Sequence, residues 1–483
     1  MSPAAIRSQF LLFGLSNCSY CTSAVFLLTA VFSLSSSVCS PAMAWGSRCR
    51  SRSMPCGFPG KGITYTGGNM SIQERAKYGA EAFEGITGSL PQPFPRTMGP
   101  NCLTYLQEVV SSGLQCDMIR RFEAAFENEM GIKHCIGTPG CTAALNILAA
   151  ALNLEPGDEI IVSPITDYGT VMGLLKENYI PVFPDTEPGT PLISARTIAP
   201  CITNRTRAIL AVHITGLICD MDPIHALAKK HGLTVIEDVC QAVFGTYKGR
   251  LAGTLGDVAA FSFDSEKTLG SDVGGCVITN DDKLAEQIRF VGQSRGGQMV
   301  EGLGRVHAVN GYALRITQST AAITLAQLEI IRPAVAHIDR MIRLITDKLA
   351  EIPGIIPLSI PDYMETYSCW MAGFSIDPNA FTCDAESFAQ QVAEAGLTGA
   401  GLGKYYLMPA ALPFLTDKAE KHLYPFSKPP ASHTYKYGAN TCPNARDFLD
   451  NFIRWTTICE KYQPEHCDLV AQIVAAVADQ NRV

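Results

Sequence analysis

From about residue 95 the chain repeats one pattern, a short and continuously apolar run followed by a stretch with helical spacing. The apolar runs are Ile160-Ile161-Val162, Ile180-Pro181-Val182-Phe183, Ala208 to Ile214, Thr234-Val235-Ile236, Val258 to Phe263 and Cys276 to Thr279. A strand with one wet face alternates apolar and polar residues, whereas a strand covered on both faces has no need to. These runs do not alternate. The segments between them, such as Thr142 to Leu152 and Asp222 to Lys230, are therefore read as the covering helices. Ahead of them, Ile119, Phe122, Phe126 and Met130 fall at helical spacing among acids and arginines. The expected fold is α/β, a large domain with a mostly parallel sheet flanked by helices.

A long helical region, Ser319 to Leu349, closes that pattern. Beyond about residue 355 the composition loosens, with Pro429-Pro430, Asn440-Thr441-Cys442-Pro443, and a final helix from Pro464 that carries Leu469, Ile473 and Val477 on one face. The division read from this is a large domain over 95–350 and a smaller C-terminal α+β domain over 351–483. With 483 residues, 47% hydrophobic and 17% charged, the chain has ample material for such cores. A net charge of −7 without a concentrated basic face argues against a nucleic-acid partner.

The first residues read differently. Arg7 is the only charge before Arg48, an apolar stretch runs from Ala24 to Phe32, and Ala42-Met43-Ala44 forms a small-residue cleavage pattern. A signal peptide over 1–44 is expected, since the stretch is short for a membrane span. Residues 45–94 carry Arg48, Arg50, Arg52 and several serines, with no acid before Glu74, as transit segments do. Together they point to secretory entry followed by plastid import. The alternative is a non-functional extension on a cytoplasmic protein.

Eighteen cysteines invite a disulfide or zinc reading. Disulfide frameworks belong to small secreted domains without a core. The C-x-x-C of Cys18 and Cys21 has no partner motif, so no metal site is expected. Cys201, Cys219, Cys240 and Cys276 fall in or beside strands and helices, where a thiol packs as a small hydrophobe.

Ligands on open parallel sheets bind beyond the carboxyl ends of the strands, which makes strand exits the place to look for chemistry. Three stand out. Val235-Ile236-Glu237-Asp238 ends an apolar strand on an acid, with Gln241 three residues on. Phe261-Ser262-Phe263-Asp264-Ser265-Glu266-Lys267 ends another on a hydroxyl and then a lysine, ahead of Gly274-Gly275. Gly137-Thr138-Pro139-Gly140-Cys141-Thr142 opens onto an Ala/Leu-rich helix whose first N–H groups suit a phosphate. Singly, each has an ordinary explanation: a helix cap for the acid and the threonine, a solvated surface position for the lysine. Together they supply a phosphate cradle, an acid to keep a pyridine nitrogen protonated, and an amine able to form an imine. Those are the parts that pyridoxal phosphate requires.

On these motifs the chain resembles the DegT/DnrJ/StrS aminotransferases, pyridoxal-phosphate enzymes of fold type I within the aspartate aminotransferase superfamily. The resemblance runs over roughly residues 95 to 480. It rests on Glu237 to Ala242, Phe261 to Lys267 and Val273 to Gly275, with support from Val212 to Met221, Leu154 to Val162 and Ala321 to Leu328. It implies that Lys267 carries the cofactor aldehyde and moves protons, and that Asp238 pairs with the ring nitrogen. It further implies Gln241 near the phenolic oxygen, and Ser262, Thr142 and the backbone of Cys141 on the phosphate. The implied reaction moves an amino group, from glutamate, to a keto-sugar or nucleotide-linked keto-sugar. The implied assembly is a homodimer with shared active sites. A sugar dehydratase or eliminase, or a non-catalytic cofactor-binding regulator, remain as alternatives; the family's dehydratases carry histidine in place of the lysine.

Three positions depart from the family pattern. Cys141 stands where a glycine is usual, and Ala313 stands where an asparagine reaches the neighbouring subunit's phosphate. Thr166 is followed by Asp167 and then Tyr168, so either Asp167 occupies the place of the aromatic over the ring or Tyr168 does. His213, at a strand exit, and Arg315 are candidate substrate contacts, with structural roles as the alternative.

Overall fold

Seven runs of the chain meet in one sheet: β1 (His134–Thr138), β2 (Glu159–Val162), β3 (Ile180–Val182), β4 (Thr206–Val212), β5 (Thr234–Asp238) and, after a small hairpin of β6 (Thr246–Tyr247) and β7 (Arg250–Leu251), β8 (Val258–Ser262) and β9 (Gly275–Thr279). The computed structural model describes residues 88–293, 298–307, 310–403, 406–427 and 434–483. The expected signal peptide, most of the transit-like segment, and Cys18 and Cys21 lie outside the described residues.

The strand order is β1-β9-β8-β5-β4-β2-β3. From β3 to β8 every neighbour is parallel. β9 runs against both β8 and β1. All residues of β2, β8 and β9 are buried, which is why their sequences show no alternation. β1 was not among the strands expected from sequence. Its residues, His-Cys-Ile-Gly-Thr, lack a continuous apolar run, and it forms because β9 offers it an edge.

One face of the sheet is covered by the helix Met118–Met130, which ends on Gly131 in the left-handed region (φ 64°). Its Phe126 meets the rings of Phe261 and Phe263 edge-on, at 5.2 and 5.7 Å between centroids. The helix Cys141–Ala151 is buried along almost its whole length. It packs against β8 and β9 and against the helices Tyr168–Lys176 and Asp282–Gln293.

The helix Gln318–Ala350 starts on Thr317, whose hydroxyl accepts the N–H of Thr320 (3.1 Å). It is long and apolar enough to cross a membrane, but more than half of that apolar window is buried inside the protein. Its partners are the helices Cys102–Ser111, Met118–Met130 and Pro464–Gln480. The last of these buries Leu469, Ile473 and Val477. A hairpin of β10 (Gln298–Val300) and β11 (Gly304–Val306) precedes the long helix. Beyond it, β12 (Ile355–Pro357), β13 (Ala372–Ile376), β14 (Gly401–Leu402) and β15 (Phe452–Trp455) form an antiparallel sheet in the order β12-β13-β15-β14.

Phe126 is fully buried among four other phenylalanines. Phe126→Ala is expected to cost about 3–5 kcal/mol, the range for aromatic-to-alanine changes in a core. Denaturant unfolding of the two proteins checks it; a loss below about 1 kcal/mol would mean that the cluster does not tie helix to sheet.

Candidate active site

β5 sends two adjacent acids to opposite faces of the sheet, as successive strand residues must. Glu237 is fully buried. It accepts the N–H groups of Gly253, Leu255 and Gly256 (2.8, 2.8 and 2.6 Å) and meets Nε2 of His213 at 2.9 Å. Nδ1 of His213 accepts the N–H of Cys219 (3.3 Å). Both ring nitrogens are thus engaged, and the side chain has no exposed surface. This places His213 in a structural pair that joins β4 to the turn before β8, instead of the substrate contact considered from sequence.

Asp238 faces the other way and is 3% exposed. Its Oδ2 accepts the hydroxyl of Thr170 (2.8 Å) and its Oδ1 the N–H of Cys240 (3.1 Å). Thr170 in turn meets the hydroxyl of Thr166 at 2.7 Å. Thr166 leaves the β2 segment and Thr170 lies in the first turn of the helix Tyr168–Lys176, so the four-residue spacing brings both hydroxyls to one side. Asp167 caps that helix, its Oδ1 accepting the N–H of Gly169 (2.8 Å). Of the two residues considered for the place over a cofactor ring, Asp167 is therefore held as a cap, while Tyr168 is 40% exposed at the first helical position. Gln241 accepts the N–H of Thr215 at its Oε1 (2.6 Å), and among the described residues its NH2 has no partner.

The cradle is built by close backbone approach. Gly140 brings no side-chain cap to the helix Cys141–Ala151, so the first-turn N–H groups are left to other acceptors. Gly275 pairs with Ser262 across β9 and β8. A Cβ on Gly275 would lie 2.6 Å from the carbonyl carbon of Gly140 and 2.7 Å from the nitrogen of Cys141. Only glycine lets the helix start rest there. Thr142 packs its hydroxyl against Gly169, so the two helix starts, Cys141–Ala151 and Tyr168–Lys176, meet at one point. The uncapped start of the helix Cys141–Ala151 and the hydroxyls of Ser262 and Thr142 are a setting for an anion.

Lys267 sits on the loop after β8. Arg96 clasps that loop, donating to the carbonyls of Ser265 (2.8 Å), Lys267 (2.6 Å) and Thr268 (3.1 Å). Burial pulls the guanidinium's pKa below its ordinary value, partly offset by Glu460 and Asp264. The Nζ of Lys267 lies 3.6 Å from the centroid of the Trp370 ring, and Trp370 donates its Nε1–H to the carbonyl of Glu266 (3.0 Å). Trp370 also ties the lysine to the Asp238 exit, since its own backbone N–H goes to the carbonyl of Thr215, whose N–H is held by Gln241. Thr215 has φ 63°, rare for a β-branched residue, and its carbonyl accepts the N–H of Trp370 (3.2 Å). Strain of this kind gathers at sites held by their surroundings.

Ala313 and Arg315 are both exposed. Their segment runs along the helix Asp282–Gln293, with the N–H groups of Tyr312 and Leu314 on the carbonyls of Val291 and Gly292 (2.6 and 2.7 Å). Among the described residues Arg315 forms no bond with Lys267 or Asp238. Sequence reasoning missed Thr170, Arg96 and Trp370. The T-x-x-x-T spacing of Thr166 and Thr170 was a signal for the first; the other two come from segments far away in the chain and had none.

The fold is fold type I of the pyridoxal-phosphate-dependent transferases. Among solved structures, 3-amino-5-hydroxybenzoic acid synthase superposes with a TM-score of 0.70 at 21% identity, over 81% of this chain and 100% of its own. An aminotransferase from Psychrobacter cryohalolentis gives 0.68 at 23% identity, over 80% and 98%. A profile of the DegT/DnrJ/EryC1/StrS aminotransferase family matches residues 97–474, and the chain belongs to that family. A GDP-perosamine synthase of Caulobacter vibrioides is 39% identical over 234 residues, 48% of this chain and 62% of that protein, so under two thirds of its length is matched.

Arg96 lies one residue before the family match and supplies three bonds to the lysine loop. Arg96→Ala should speed amide hydrogen exchange at Lys267 and its neighbours by tenfold or more while leaving β5 protected. Exchange unchanged at that loop would show that the clasp is dispensable.

Proposed function

We propose that the protein is a pyridoxal-phosphate-dependent aminotransferase that moves an amino group, with glutamate as donor, to a keto-sugar or nucleotide-linked keto-sugar. The observation that carries this is the buried Asp238 carboxylate, held by Thr170 and the Cys240 amide at the exit beside the Lys267 loop.

The residues present fit the cofactor. Asp238 would hold the proton on the ring nitrogen, and the free NH2 of Gln241 would donate to the phenolic oxygen. Ser262, Thr142 and the N–H of Cys141 would take the phosphate. When bound, the cofactor supplies an electron-withdrawing ring. Lys267 would take the cofactor aldehyde and then move a proton at its Nζ. Trp370 parks that Nζ on an apolar face. The sugar acceptor is supported by the relative from Caulobacter, whose name denotes a nucleotide-linked amino sugar.

Borohydride treatment of the protein with pyridoxal phosphate should label Lys267 alone, and glutamate should shift the cofactor's visible band. Lys267→Ala should lose the label and lower turnover by roughly 10²–10⁴-fold, the span of proton-transfer catalysis. Label retained in that variant, or a band that no amino donor alters, would sink the reading. Loss of water from a keto-sugar without amino transfer would point to elimination instead.

We further propose a homodimer. The β10–β11 hairpin exposes Met299 (76%) and Leu303 (76%), apolar surface of the kind that a partner covers. Sedimentation should give twice the chain mass, and replacing both residues with glutamate should shift the protein toward monomer. A monomer at micromolar concentration before any substitution would overturn it.

A further inference from the structure

The thiols of Cys141 and Cys240 have no part in amino transfer, where only the two backbones serve, yet the fold brings them together. Cys141 opens the helix of the cradle, and Cys240 follows β5 by two residues. Their sulfurs and a carboxylate oxygen of Asp238 all lie within 4.8 Å of one another, the one such trio found among the described residues. We propose that Cys141, Cys240 and Asp238 form a site for one thiophilic divalent cation, zinc or cadmium, that competes with the cofactor for the floor of the active site. The competition rests on the reading of Asp238 as the ring-nitrogen partner.

The chemistry of the donors supports this. Metal–sulfur bonds of about 2.3 Å and metal–oxygen bonds of about 2.0–2.2 Å set the donors of a tetrahedral site roughly 3.5–4 Å apart. A contraction of about 1 Å, within reach of thiol rotation, closes the trio on one ion. Asp238 is already oriented from behind by Thr170 and by the Cys240 amide, the outer-shell support that metal carboxylates have. Each of its oxygens keeps a lone pair for the ion. Cys240 is half-buried as a residue, while Cys141 and Asp238 are buried beneath it.

Charge balances as well. Binding releases two thiol protons to solvent and forms two metal–sulfur bonds. Two thiolates and one carboxylate then oppose the divalent ion and the nearby Lys267, for a net charge of zero. The fourth position would take water. Other buried thiols, such as the neighbouring pair Cys135 and Cys276, have no third ligand within that distance.

The test uses the full chain stripped of cofactor and titrated with cadmium, followed by the near-ultraviolet thiolate-to-cadmium band. The site predicts about one ion per chain and a band that falls by at least tenfold in Cys240→Ser. Adding pyridoxal phosphate should release the ion in step with borohydride labelling of Lys267. Cys240→Ser that still takes the label shows that the variant is folded. A band unchanged in that variant overturns the site, as does a wild-type protein that takes the label but forms no band. A wild-type protein that keeps its ion while Lys267 is labelled overturns the competition. A wild-type protein that binds the ion but never takes the label sinks the cofactor reading and, with it, the competition, leaving the ion site standing.

Discussion

The site depends on how one carboxylate is held. Asp238 ends β5 almost without exposure, and its two oxygens are fixed by Thr170 from a neighbouring helix and by the amide of Cys240. A buried carboxylate without such partners would be driven to its neutral form. Glu237, one residue earlier, has the same chemistry on the opposite face and takes three backbone N–H groups and His213. One strand end therefore fastens the sheet with one acid and presents the other. Parallel pairing with β4 and β8 sets both, since a slip of one residue would exchange their faces.

Much of this was legible in the sequence. Continuous apolar runs announced a sheet covered on both sides, and the strand exits at Asp238, Ser262 and Thr142 announced where chemistry would gather. The antiparallel β9 and the short β1 were not legible, because direction and edge pairing leave no periodic trace in five residues. His213 shows the limit at the site. A histidine at a strand exit reads the same whether it meets a substrate or a glutamate, and only the register that sets Ala211 opposite Glu237 brings the acid beside it. Trp370 and Arg96 were illegible for another reason: they reach the Lys267 loop across 103 and 171 residues of chain, and no local pattern encodes such distances.

The departures from the family pattern also have physical sense. Cys141 keeps the N–H that a phosphate needs, and Gly275 opposite supplies the close approach that a glycine at 141 does not. Asp167 caps the helix that begins at Tyr168. Ala313 is exposed on a segment held by its backbone, so losing a long polar side chain there leaves the fold of this chain intact.

Arg96 reverses the usual order of dependence between a domain and the segment that precedes it. The loop bearing Lys267 is complete only when a residue made about 170 positions earlier folds back to its carbonyls. Proteolytic trimming or an expression boundary that reached residue 96 would spare every strand and helix of the sheet and still leave the lysine's loop without its anchor. The stretch ahead of the first helix thus sets a lower limit on how short a form of this protein with an anchored lysine loop can be.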